Sequence, residues 1–178
     1  SGTFRTFAQE ISHTQKIKNF GLFLSGRHQA QEGFRDNSDY KSYNLDNKFT
    51  LDLNQADSLQ LLTGLYTAKV GSPGRIENVD LDDRLDSLKK YLDINWLHKF
   101  DSDSNIEIKS YGNFDRLEFI ETSEPLDKNT HTTKLRGLNL QYKGKFLNFY
   151  MPVLGFNYQK HLLNSSNSGK HDYYINAI

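Results

Sequence analysis

The chain contains no cysteine. That removes disulfide staples, thiolate nucleophiles and zinc–thiolate centres together, and it leaves the compartment open, because periplasmic and outer-membrane proteins also manage without cysteine. No run of about 18 apolar residues occurs, which excludes a transmembrane helix. A membrane β-barrel is not excluded, since each of its strands is only half apolar. Charge of one sign is not in excess either: 22 basic residues balance 22 acidic ones, so nucleic acid or another polyanion is not expected as a partner. The N-terminus has neither the basic start nor the apolar core of a signal peptide, and no initiator methionine. A mature protein, or a piece of a longer one, is the simplest expectation, and the strand-like alternation of Asp172–Ile178, which stops abruptly, suggests the same.

Signatures of catalysis are missing as well. No Ser-His-Asp order, nucleophile elbow, phosphate-cradling loop or paired carboxylates can be recognised, so the chain is not expected to be an enzyme, and a secreted glycosidase is the weakest reading. Six histidines, His13, His28, His98, His131, His161 and His171, lack the i, i+4 spacing of a metal site and read as surface residues.

What the sequence has is alternation of period two. In Tyr43–Leu53 the side chains of Tyr43, Leu45, Phe49, Leu51 and Leu53 share one face, while Asn44, Asp46, Lys48, Thr50 and Asp52 share the other. Similar stretches are predicted at Phe4–Ile11, Ile17–His28, Ser58–Ala68, Lys89–Phe100, Asn105–Arg116, Thr133–Tyr142 and Lys145–Tyr158, with a last partial strand from Asp172. Polar connections separate them: short ones near residues 13, 55, 102 and 144, long ones near 35, 78, 125 and 166. Pro152 falls inside one predicted strand, where proline belongs at an edge or bulge. Short and long connections alternating along a meander mean that one end of the sheet is trimmed and the other elaborated. At 178 residues a single unit is the default. The predicted fold is all-β: an antiparallel up-and-down meander spanning 1–178, part of a transmembrane β-barrel with short periplasmic turns and long extracellular loops.

Two loops offer candidate sites. In Glu32–Tyr40, the residues Arg35, Asp39 and Tyr40 could close over a ligand, since long polar loops on a rigid scaffold carry recognition; turn formation by Asp36, Asn37 and Asp39 is the competing reading. In the second long loop, Asp80, Asp82, Asp83 and Asp86 could supply oxygen ligands to a Ca²⁺ ion, although EF-hand spacing is absent and a solvated loop is the plainer reading. No other cofactor is expected. The aromatic residues Tyr91, Trp96, Tyr142, Phe149 and Tyr150 fit either an interfacial girdle or ordinary sheet packing.

The segment Gly33-Phe34-Arg35-Asp36-Asn37-Ser38-Asp39-Tyr40 followed by Asn44-Leu45, the turn Gly71-Ser72-Pro73-Gly74, and Tyr91-Leu92-Asp93-Ile94-Asn95-Trp96 together resemble the TonB-dependent outer-membrane receptors. The likeness is strongest over residues 18–100. It implies a 22-stranded barrel around an N-terminal plug, of which this chain would be a portion without the plug. It further implies import of a scarce nutrient such as a siderophore or cobalamin, a TonB-type energy-coupling protein reached through the plug, outer-membrane lipid around the barrel, and the bacterial outer membrane as location. The rival from another class is a soluble β-sandwich or small β-barrel binding a ligand or protein, with the apolar face packed inside.

Overall fold

The computed structural model describes residues 5–75, 78–79, 82–122, 127–145 and 150–177. Nine strands form one antiparallel sheet in which sequence neighbours are also spatial neighbours. They are β1 (Thr6–Ile17), β2 (Phe20–Gln31), β3 (Tyr40–Asp52), β4 (Asp57–Gly71), β7 (Arg84–Lys99), β8 (Asn105–Glu121), β9 (Asp127–Lys143), β10 (Val153–Ser165) and β11 (Gly169–Ala177). A two-residue ribbon, β5 (Gly74–Arg75) with β6 (Asn78–Val79), sits between β4 and β7. The expected meander is therefore present. The sheet stays open: β1 pairs only with β2, and β11 only with β10.

Directly paired residues of an antiparallel sheet share a face, so the register assigns every side chain. One line of partners runs Ile17, Phe20, Leu51, Leu59, Trp96, Ile108, Leu140, Phe156 across β1 to β10. The adjacent line on the same face runs Gln15, Leu22, Phe49, Leu61, Ile94, Ser110, Leu138, Tyr158. We call this the apolar face. The opposite face carries Asp46, Lys48 and Asn44 of β3, Asp93 and Asn95 of β7, and Glu107 and Lys109 of β8.

A chain of this length ordinarily buries a substantial core. Among the described residues the only buried hydrophobic one is Ala68, at 4% exposure, whereas Leu45 and Leu92 of the apolar face are 49% and 47% exposed. No second layer covers that face among the described residues.

Several predicted boundaries need correction. The first turn is Lys18-Asn19, with Lys18 in the left-handed region at φ 53°, not Ser12–Gln15. Those polar residues lie within β1, an edge strand exposed on both faces, where polarity does not break a strand. Strand extends into the predicted loops 118–132 and 159–171, because β8 runs to Glu121, β9 starts at Asp127, β10 runs to Ser165 and β11 starts at Gly169, each paired with at least one neighbour. β9 ends at Lys143 and β10 begins at Val153, so the predicted strand Lys145–Tyr158 starts later than expected and Pro152 lies outside β10. Strict alternation of connection lengths consequently holds for 18–19, 32–39, 53–56, 72–83 and 100–104 and fails after β8.

Two of the short turns share one chemistry. Asn54 Oδ1 accepts from the N–H groups of Ala56 (2.7 Å) and Asp57 (2.8 Å), and Asp101 Oδ1 accepts from those of Asp103 (2.8 Å) and Ser104 (2.7 Å). Such side-chain turns close a hairpin by satisfying backbone donors that the ladder leaves free. The Asp103 N–H, with Ser104 and Lys145 beside it, holds the Asp101 carboxyl below the usual carboxylate range. A depressed folded-state pKa means the contribution is complete above the unfolded value of roughly 4 and is lost as pH falls through the lower folded value. Urea midpoints measured between pH 2 and 7 should therefore show an acid-side decline in the native chain that is shallower in Asp101→Ala; equal slopes would refute this role.

Candidate functional site

The features with functional content are the two sheet faces and the loop end that joins them. On the apolar face, Asn47 Nδ2 donates to Thr63 Oγ1 of the paired residue at 3.2 Å. Aromatic rings mark both ends of the apolar stretch. Near the Asn54 and Asp101 turns, Trp96, His98, Phe100 and Tyr142 form a chain of ring contacts with centroids 5.8, 4.7 and 6.3 Å apart, and His98 Nδ1 lies 2.8 Å from Asp57 Oδ1. At the other end, His28 stacks on Tyr43 at 4.5 Å and contacts Phe7 at 5.6 Å.

Above the apolar stretch the face turns cationic in a regular way. Moving from the short-turn end, the first charged side chain past the apolar residues is Lys41 on β3, Lys69 on β4, Lys90 on β7, Arg116 on β8, Arg136 on β9 and Lys160 on β10. All six are basic in a chain with as many acidic as basic residues. Their line is oblique to the register. The partners of Lys41 and Lys69 continue through Asp86 and Glu118 to Thr130, whereas Arg136 and its partner Lys160 lie nearer the short turns.

The other face is held by polar bridges across strands. Tyr91 of β7 lies flat over Gly64, its direct partner on β4, and its hydroxyl donates to Asp46 Oδ1 of β3 at 2.9 Å. A side chain at position 64 would occupy the space of the Tyr91 ring, and one at Gly137 would occupy that of Tyr111. Asn95 Nδ2 donates to Glu107 Oε1 at 2.7 Å, and Lys109 Nζ lies 3.2 Å from Asp93.

The long loops lock together. Asn37, at φ 55°, donates through Nδ2 to the carbonyls of Ser72 (3.2 Å) and Asp83 (3.0 Å). Gly71 N–H donates to Asp39 O at 2.8 Å, and the Asn37 backbone comes so close to Gly71 that a Cβ there would collide with it. Of the residues considered for ligand contact, Arg35 donates to Gly74 O at 3.0 Å, Asp39 pairs with Arg84, and Tyr40 begins β3 on the polar face with its hydroxyl 3.2 Å from that of Tyr66. The first two are thus engaged in joining loops.

The acidic residues are dispersed. Asp80 lies outside the described residues. Asp83 Oδ1 accepts from Thr122 N–H at 3.1 Å, Asp86 faces Lys69 at 3.8 Å on the apolar face, and Asp82 is exposed. No three potential ligands converge among the described residues. Among the aromatic candidates, Trp96 and Tyr142 sit on the apolar face, Tyr91 on the polar face, Tyr150 is exposed, and Phe149 lies outside the described residues. The sequence signal of the basic line is that the first charge on each apolar stripe is basic; its alignment along one slope depends on the register of the strands.

No family model matches the chain, and no curated protein matches it.

The Tyr91 bridge yields a stability test. Gly64→Val forces the ring off the sheet and should cost about 1–3 kcal/mol. Tyr91→Phe removes only the bond to Asp46, about 1 kcal/mol. Chemical denaturation of both variants checks the order, and a neutral Gly64→Val would contradict the packing described.

Proposed function

We propose that this chain is part of the barrel of a bacterial outer-membrane transporter of the TonB-dependent type, with its apolar face toward lipid and its polar face toward the lumen and plug. The observation that carries the reading is the oblique apolar band. Between β3 and β10 its basic margin shifts from the register line of Lys41 to that of Arg136, the separation of Thr130 from Arg136 on β9. With a rise of about 3.3 Å per residue and about 4.8 Å between strands, that is about 20 Å along the strands over about 24 Å across the sheet. The slope is about 40°, within the strand tilt of about 35–45° found in membrane barrels. A margin level with a membrane surface has this slope when the strands crossing it are tilted by that amount.

Band height agrees. Leu51 to Tyr43 on β3 spans about 26 Å of strand, or about 20 Å perpendicular to the band at that tilt, near the ~25 Å apolar belt of outer-membrane barrels. The aromatic clusters at its two ends stand where interfacial girdles stand. A soluble sandwich needs a second sheet about 10 Å away, and no such layer lies among the described residues. Open edges at β1 and β11 leave backbone groups that a bilayer core cannot satisfy; in this reading further strands complete the barrel there, while in the isolated chain water at the surface of a small detergent micelle meets those groups.

The role is capture and passage, not catalysis. The interlocked loops 32–39 and 72–83 form the outer rim, where a scarce nutrient of the siderophore or cobalamin kind is first met. Energised displacement of a plug, driven by a TonB-type partner, follows in the assembled transporter.

Folding into detergent micelles, read as an altered electrophoretic mobility of the unheated sample, tests the orientation. Leu61→Arg places a charge in the apolar band and should disfavour the folded form by about 2–4 kcal/mol, whereas Gln60→Arg, one residue away on the polar face, should leave it intact. A native chain that is folded and monodisperse without detergent would overturn the proposal.

A further inference from the structure

The basic margin is not uniform. Lys69 faces Asp86 at 3.8 Å, and Arg116 pairs with Glu118, whose other oxygen lies 2.6 Å from Lys128. Over β7 to β9 the pattern changes. Lys90, Lys134 and Arg136 have no carboxylate within ion-pair distance among the described residues, and Lys90 and Lys134 flank Phe114 as its two direct partners. One position further along the same face, between its direct partners Leu92 and Arg136, Gly112 leaves a gap where a Cβ would meet nothing closer than the Leu135 carbonyl oxygen at 3.7 Å. The result is a shallow groove of about 360 Å³, lined by these three cations together with Leu92, Gly112 and Phe114.

We infer that this groove binds the phosphate headgroup of an anionic membrane lipid, with its acyl chains lying down the apolar band over Leu92 and Ile94. Three arguments on charge and shape converge. Cations with no carboxylate partner are costly beside lipid unless an anion meets them, Lys134 having only the Phe114 ring at 5.9 Å, and phosphate supplies acceptor oxygens that an ammonium and a guanidinium both satisfy. The groove opens at the margin of the apolar band, where a headgroup stands when its chains lie in the belt. Apolar floor and cationic rim belong to one continuous surface, which fits an amphiphile better than a free ion. The inference rests on the lipid-facing orientation proposed above.

The test uses the native chain in neutral detergent micelles, with short-chain phosphatidic acid as the anionic probe, phosphatidylcholine as the zwitterionic control and inorganic phosphate as the free-ion control, bound species being counted by native mass spectrometry. Phosphatidic acid should be retained by the native chain and by a polar-face control, Lys16→Gln with Lys48→Gln and Lys143→Gln. The variant Lys90→Gln with Lys134→Gln and Arg136→Gln should bind it about 10- to 100-fold more weakly. Phosphatidylcholine and inorganic phosphate should bind neither form measurably. Undiminished binding by the groove variant overturns the inference alone, provided that both proteins show the folded, heat-modifiable form. Inorganic phosphate binding as tightly as the lipid overturns the lipid as occupant. A native chain that fails to enter micelles overturns the orientation itself and the inference with it.

Discussion

Every interior strand of this protein carries a row of apolar side chains, and among the described residues no second layer covers them. Each strand from β2 to β10 is paired on both sides over most of its length, so the ladder fixes which residues share a face. Once the register is fixed, Ile17, Phe20, Leu51, Leu59, Trp96, Ile108, Leu140 and Phe156 must all point the same way. A one-residue slip of any strand would reverse its two faces. The rest of the structure follows from that single constraint: a broad, largely apolar surface on one side of the sheet and a polar surface on its reverse.

Devices on the polar face hold the register. Tyr91 reaches from β7 over Gly64 to Asp46 and so ties three strands with one side chain. The Asn54 and Asp101 turns define two hairpins at one end of the sheet, and Asn37 clamps the loops at the other. Such bridges matter more in a single layer than in a packed domain, because no core stands behind the sheet to resist shear. The same architecture explains why the charged ends of β8 and β9 remain strand: they stay paired while Glu118 gathers Arg116 and Lys128.

Alternation made the meander and the orientation of its central strands legible from sequence. The faces of Tyr43–Leu53 and Lys89–Phe100 are those the residues announce. Legibility ended where a strand outruns its apolar stripe. Ser12–Gln15, Glu118–Glu121, Asp127–Thr132, Gln159–Ser165 and Gly169–His171 look like loops because they lack a clean apolar stripe, and only the partner strand reveals that their backbone is paired. Loop chemistry was half visible: turn formation in Glu32–Tyr40 could be read, but the engagement of Arg35 with Gly74 and of Asp39 with Arg84 depends on contacts remote in sequence. The basic margin was invisible for the same reason. Lys41, Lys90 and Arg136 are scattered charges until cross-strand pairing sets them along one oblique line.

The central claim is that the face of Tyr43, Leu45, Phe49 and Leu51 meets lipid. Because the chain has no cysteine, single cysteines introduced one at a time from position 43 to 51 can each carry a spin label in the folded, micelle-embedded protein, and collision rates with dissolved oxygen and with a water-soluble paramagnetic complex can be compared. The account predicts a period of two, with oxygen favoured at 43, 45, 47, 49 and 51 and the aqueous probe favoured at 44, 46, 48 and 50. Odd positions shielded from both probes would mean that this face packs against protein, and the account would be wrong.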